Sequence, residues 1–294
     1  MALRAKAPEV KEKRLKLFVY GPAGVGKTVA ALQFPNSYLI DTEKGSDFYA
    51  EMINASKSVQ FQSVNPDEIR DEIKELLTTK HEYKTLIIDP MTQVYNAIQE
   101  KWTRIFEKNT PGKSGEIQDF GMRYWGKVKA EMKSLQRMIL ALDMNIITTA
   151  HQKDLYGPGM QKMGVTFDSM RGDDYLFDLI FQLERRGDKR IAKTVKERAL
   201  PGMSKFPDEF EWSYENFCKF YGREVIEREV KPVDMATNEQ VSKLDSLLKV
   251  VAIPEETKEK WLTKTDCDTF DQMTSDQIQK CIDYVEKQLE VIRK

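Results

Sequence analysis

The chain has 294 residues, is 40% hydrophobic and 32% charged, and carries a formal net charge of −1 at pH 7. That is enough for one large domain plus a small one in a soluble globular protein, and no run approaches the ~18 apolar residues of a membrane span. Three cysteines without metal-ligand spacing and only two histidines argue against a disulfide framework or a zinc site, and a basic N-terminus without an apolar segment is no secretory signal, so a cytoplasmic protein is expected.

Residues 1–16 hold six bases against two acids and read as a basic arm. Such an arm could meet a polyanion or simply be solvated. Leu15 to Tyr20 reads as a strand, and Thr28 to Phe34 as a helix closed by Pro35. Between them Gly21-Pro22-Ala23-Gly24-Val25-Gly26-Lys27-Thr28 matches GxxxxGK[ST], the phosphate-binding loop. Glycines let the backbone curl so that successive N–H groups face phosphate oxygens. Lys27 would reach the β- and γ-phosphates, and the Thr28 hydroxyl would ligate Mg²⁺. A nucleoside triphosphate is the expected ligand.

Downstream come a strand at Ser37–Asp41, a helix around Pro66 to Thr79, a strand at Thr85–Asp89 and a helix from near Met91. A long amphipathic pattern follows from Tyr124 to Leu142, then a strand at Asn145–Thr149. Leu176–Arg185 and Arg190–Lys196, joined through Gly187-Asp188, suggest an antiparallel hairpin at a sheet edge. This order predicts an α/β core with a mostly parallel sheet flanked by helices, over 17–222. Two segments, Glu107–Gly121 and Lys153–Asp174, lack periodicity and are expected to be long functional loops on the carboxyl side of the sheet.

Composition changes around Glu224 to Ala236, so 223–236 reads as a linker and 237–294 as a small helical module. Thr237…Gln240 and Thr274…Gln277 match capping boxes, and Pro254 to Leu262 reads as a shorter helix between the two they open. Residues 233–294 carry 13 acids and 9 bases, −4, leaving +3 for the rest.

Two carboxylates stand out in the core. Asp89 ends an apolar strand, from which it could hold Mg²⁺ through water or serve only the turn. Glu43 lies just past the strand ending at Asp41. It could orient or deprotonate an attacking water, or be a solvated loop acid.

The ordered set of P-loop, Leu39-Ile40-Asp41-Thr42-Glu43, Leu86-Ile87-Ile88-Asp89 and Ile146–Ala150 with His151-Gln152 resembles the ATPase core of the RecA family. The compact length and helical tail look like the RecA-like ATPases of bacteriophages that act as single-strand annealing proteins or recombinases. The resemblance covers roughly 15–222 and implies ATP as the nucleotide. It also implies Glu43 as the catalytic glutamate and Gln152 as the γ-phosphate sensor that signals to the loop beginning at Lys153. Lys196 and Arg198 resemble the strand-end basic pair that reaches a neighbouring protomer's γ-phosphate; a protected edge strand is the other reading. His151 departs from the family pattern and takes no role.

The two long segments match the family's DNA-contacting loops in position. Lys108, Lys113, Lys153, Lys162 and Arg171 suit phosphates, and Tyr156 and Phe167 suit base stacking, although seven acids dilute the charge. Arg123, Tyr124 and Lys127 could extend that surface or form an ordinary polar helix face. The expected function is an ATPase that binds single-stranded DNA and promotes annealing or strand exchange, as a homo-oligomeric ring or filament. A single-stranded-DNA-binding protein could be a partner of the acidic tail, no membrane is involved, and a phage-encoded chain would act in the host cytoplasm. The alternatives are a DNA-independent P-loop switch or assembly ATPase acting through its tail, and a small-molecule kinase.

Overall fold

The computed structural model describes residues 14–110, 112, 121–198, 204–230, 234–265, 267 and 269–293. The chain opens with strand β1 (Lys16–Gly21) and helix α1 (Lys27–Ala31), followed by β2 (Ser37–Asp41), α2 (Ala50–Ala55) and β3 (Val59–Gln62). Next come α3 (Pro66–Thr78), β4 (Thr85–Asp89), α4 (Met91–Asn109), α5 (Gly121–Ala141), β5 (Asn145–Tyr156) and β6 (Lys162–Asp168). The core closes with β7 (Leu179–Arg186), β8 (Lys189–Glu197), β9 (Glu209–Glu211), α6 (Tyr214–Tyr221) and α7 (Arg223–Ile226). Three longer helices end the chain: α8 (Asn238–Val250), α9 (Glu255–Thr265) and α10 (Ser275–Arg293).

Among the described residues the strands form one sheet in the order β3-β2-β4-β5-β1-β7-β8-β9, with β6 paired to β5. The pairs from β3 across to β7 are parallel, and β5–β6, β7–β8 and β8–β9 are antiparallel. This is the expected mostly parallel sheet flanked by helices. Alternation along the strands explains the two covered faces. Phe18 and Tyr20 of β1 and Leu86 and Ile88 of β4 pack with α3, α4 and α5. Leu17, Val19 and Ile87 face the other way, with Ala30, Phe34 and Phe217 of the opposite layer. The α3 start is local chemistry: Asn65 accepts from the Asp67 N–H, and Pro66 needs no hydrogen-bond donor there.

Several expectations need correction. Lys153–Asp174 is not a structureless loop, because β5 runs on to Tyr156 and β6 returns beside it. Its glycines serve the turn: Gly159 is at φ 72, and a Cβ on Gly157 would meet the Met163 sulfur at 2.2 Å. Cross-strand ion pairs Lys153–Asp168 (2.9 Å) and Lys162–Asp154 (2.7 Å) hold the two strands. Phe167 packs on Phe18, with ring centroids 4.8 Å apart, and on Tyr20, yet it is only half-buried and also lines a cleft beside the hairpin. Tyr124 is fully buried, which leaves only exposed Arg123 and Lys127 of that trio on the surface. Lys113 and most of Glu107–Gly121 lie outside the described residues. The short elements α2, β3 and β9 have too few residues to show a period.

Described residues of the expected arm and linker make contacts with the core. Arg14, 7% exposed, makes a two-pronged contact with Asp143 (2.9 and 3.0 Å) and donates to the Arg228 and Glu229 carbonyls. It is a structural arginine; residues 1–13 lie outside the described residues. Ile226 is buried in the core, so much of the expected linker packs down. Both capping boxes form, at Thr237/Gln240 and Thr274/Gln277. The terminal helices have their own apolar cluster around Leu244, Met273, Ile278 and Ile282. They meet the core through Met235, an ion pair Lys74–Asp271 (2.8 Å) and a bond from Gln272 to Ser134 (2.9 Å).

Candidate functional site

The carboxyl ends of the parallel strands converge on a cavity of about 530 Å³. Gly21, Ala23, Gly24, Gly26, Lys27, Thr28, Glu43, Asp89 and Gln152 line it, all expected from the sequence. Pro22 and Val25 complete the same loop. Gly24 (φ 72) and Gly26 (φ 95) adopt left-handed backbone, which is why glycine stands at both. The Lys27 ammonium donates to the carbonyls of Gly21 (3.0 Å) and Pro22 (3.1 Å). Burial lowers the Lys27 pKa although Asp89 and Glu43 pull it upward, and a polyphosphate beside it would favour the charged ammonium further. The helix after the loop is shorter than expected, only five residues.

Asp89 is 7% exposed and hydrogen-bonded to the Thr149 and Thr28 hydroxyls. Strand β4 thus brings the carboxylate onto the P-loop threonine, the pair that could hold Mg²⁺. Burial pushes its carboxyl above the ordinary range, against the pull of both threonines and of Lys27. A raised carboxyl pKa means that the folded state holds the proton more tightly than the unfolded chain. Ionised Asp89 therefore costs stability above the unfolded-state pKa, and that cost is absent in acid. Asp89→Asn should then raise the melting temperature of the nucleotide-free protein at neutral pH, by up to a few degrees, with no gain in acid. Thermal melts across pH check this, and Mg²⁺-dependent hydrolysis should fall at least about a hundredfold in the same variant.

Glu43 is positioned by its neighbour. Burial of Asp41 opposes its charge, yet hydrogen bonds from Ser46 and from the backbone of Glu43 and Gly45 outweigh that and hold its carboxyl low. The Asp41 carboxylate accepts from the Glu43 N–H (2.9 Å) and the Ser46 N–H (2.9 Å), which curls the chain past β2 toward the cavity. One Glu43 oxygen accepts from Gln93 (2.7 Å) and lies 2.9 Å from His151 Nε2. Neither partner was assigned from sequence. Gln93 lies in the first turn of α4 just after Asp89-Pro90, a usable signal; His151 departs from the family pattern, which gives it no role.

Gln152 accepts from the Gln182 amide (3.1 Å) on β7, spanning β1. Lys196 and Arg198 do not line this cavity. The Lys196 ammonium donates to the Asp174 and Phe177 carbonyls, and Arg198 pairs with Asp178 at 2.9 Å. A cation the sequence did not single out does reach the loop: Arg190 Nε donates to the Val25 carbonyl at 3.2 Å.

Strand, glycine loop and a buried aspartate at the end of a nearby strand define a P-loop ATPase domain. Its family is shown by sequence: a model described as AAA domain matches residues 13–205, and the chain belongs to that family. Comparison with curated proteins finds no match. The crystal structure of the RadB recombinase is similar at 17% identity, covering 63% of this chain and 82% of that one, with a TM-score of 0.37. No helix among the described residues is long and apolar enough to cross a membrane.

Proposed function

We propose that this chain is a RecA-like ATPase that grips single-stranded DNA when loaded with ATP and Mg²⁺, and promotes annealing or strand exchange. The observation that carries this is the continuity of β5. The same strand places His151 and Gln152 in the nucleotide cavity and then runs out into a hairpin arm with Leu155, Tyr156, Met160 and Met163 exposed. A change at the γ-phosphate would reach the arm through hydrogen-bonded backbone rather than through a slack loop. Exposed apolar and aromatic side chains on the arm suit sequence-tolerant base stacking. A cleft of about 570 Å³ at its base is bordered by Lys153 and Arg171, which suit a phosphate backbone.

In this reading Glu43 activates water, Thr28 and Asp89 hold Mg²⁺, and Gln152 senses the γ-phosphate. Lys196 and Arg198 would have to leave their present partners to act on a neighbour in a ring or filament. The acidic terminal helices are the candidate site for a partner such as single-stranded-DNA-binding protein.

Single-stranded DNA affinity measured with and without a slowly hydrolysed ATP analogue, over a salt series, tests the proposal. Affinity should rise with the analogue and fall with salt. Tyr156→Ala should weaken binding by roughly five- to a hundredfold, the range for losing one stacked base. Nucleotide binding without DNA binding under any condition would leave the DNA-independent switch as the better reading.

A further inference from the structure

We propose that Arg190 is an intramolecular phosphate clamp that engages the α- and β-phosphates of the bound nucleotide. This rests on the ATPase reading of the same cavity and assigns it a residue that no motif supplies.

Arg190 belongs to the β7–β8 hairpin, whose other cations are already satisfied. Arg186 pairs with Glu209 (2.7 Å) and Glu184, and Lys189 pairs with Glu211 (2.6 Å). Lys193 pairs with Glu184 (2.6 Å), and Arg185 approaches Asp188 at 3.9 Å. Among the described residues, no carboxylate pairs with Arg190. It turns away from this lattice, lines the nucleotide cavity and donates to the Val25 carbonyl. Its backbone is fixed from the other side, where the Trp212 N–H donates to the Arg190 carbonyl (2.8 Å) and β9 pairs at Ile191. The arm is therefore aimed from a rigid strand.

Its approach to the loop is close. A Cβ placed on Gly26 would meet Arg190 Nε at 2.2 Å and Cζ at 2.9 Å. The guanidinium lies against the backbone at the turn where the amide cradle forms, and glycine there permits both the left-handed conformation and the contact. With one N–H on Val25, the remaining donors of the fork are available to phosphate oxygens, a geometry that guanidinium suits better than ammonium.

Sheet order says which phosphates. The strands that deliver Gln152, Asp89 and Glu43 all lie on one side of β1, and β7 and β8 lie on the other. A triphosphate with its γ-phosphate among the carboxylates must run back across the loop toward β8. The phosphates nearest Arg190 are then the α and β. Five-residue α1 offers a short dipole at best, so a second cation has a job to do.

Calorimetric titration of ADP and ATP into the wild type, Arg190→Ala and Arg190→Lys tests this, with melting temperatures of the free proteins alongside. Arg190→Ala should weaken ADP and ATP by the same factor, about tenfold or more, since each charge-assisted bond is worth about that much. Arg190→Lys should recover only part of it, because an ammonium cannot reproduce the guanidinium fork. Unchanged ADP affinity overturns the inference, as does a loss confined to ATP. A fall in melting temperature without a change in ADP affinity also overturns it, because that is what a mere pin on Val25 would give. If the wild type binds neither nucleotide, the ATPase reading itself falls; if it binds and Arg190→Ala binds equally well, only the clamp does.

Discussion

Lys27→Ala is expected to abolish useful nucleotide binding, with affinity for ATP down by about a hundredfold or more while the protein stays folded. Lys27 is the cation at the centre of the loop, and it donates to two carbonyls, of Gly21 and Pro22. Charge-assisted hydrogen bonds contribute ~1.5–3 kcal/mol each, and the lysine can make more than one to a polyphosphate. Burial disfavours the ammonium, and phosphates beside it would offset that cost. Removing the side chain leaves the two carbonyls at the mouth of an open cavity, where water can satisfy them, so the fold should survive. Titration with a fluorescent ATP analogue, together with circular dichroism, checks both halves. Wild-type affinity in a folded Lys27→Ala protein would mean that the loop is not the binding site.

Glu43→Gln is expected to separate binding from hydrolysis. Nucleotide affinity should stay near wild type, and turnover should fall by roughly 10²–10⁴, the range for loss of a general base. The substitution conserves shape, and a glutamine oxygen can still accept from Gln93, so positioning should survive while proton acceptance does not. Single-turnover hydrolysis under saturating ATP is the measurement. Wild-type turnover would remove Glu43 from the mechanism and point to His151, which sits 2.9 Å from it, as the group to test next.

The parts of the site that were legible in the sequence are those written in a few adjacent residues. Glycines at 24 and 26, the Lys27-Thr28 pair and a carboxylate ending an apolar strand at Asp89 carry their chemistry in local spacing. So do the capping boxes at Thr237 and Thr274. Lys153–Asp174 was misread because glycines signal both loops and hairpin turns, and the ion pairs that hold β6 to β5 join residues eight to fifteen positions apart. Tyr124 looks available for nucleic acid in the sequence because composition does not state which way a ring faces. Its burial is settled by the helix that lies against it, whose Gln99 carbonyl accepts from its hydroxyl.

By itself the sequence determined that a phosphate-binding loop sits on an α/β core, that Glu43 and Asp89 are the acids to watch, and that helices end the chain. Those follow from backbone permissiveness, strand and helix periodicity and capping, all of which act over a few residues. Only the tertiary structure decided that Gln93 and His151 hold Glu43, that Lys196 and Arg198 are engaged elsewhere, and that Arg190 lies on the loop. The bond from Arg190 to Val25 joins residues 165 positions apart. Such a contact exists because the sheet sets β8 two strands from β1, and sheet order is a global outcome of packing that no local spacing encodes.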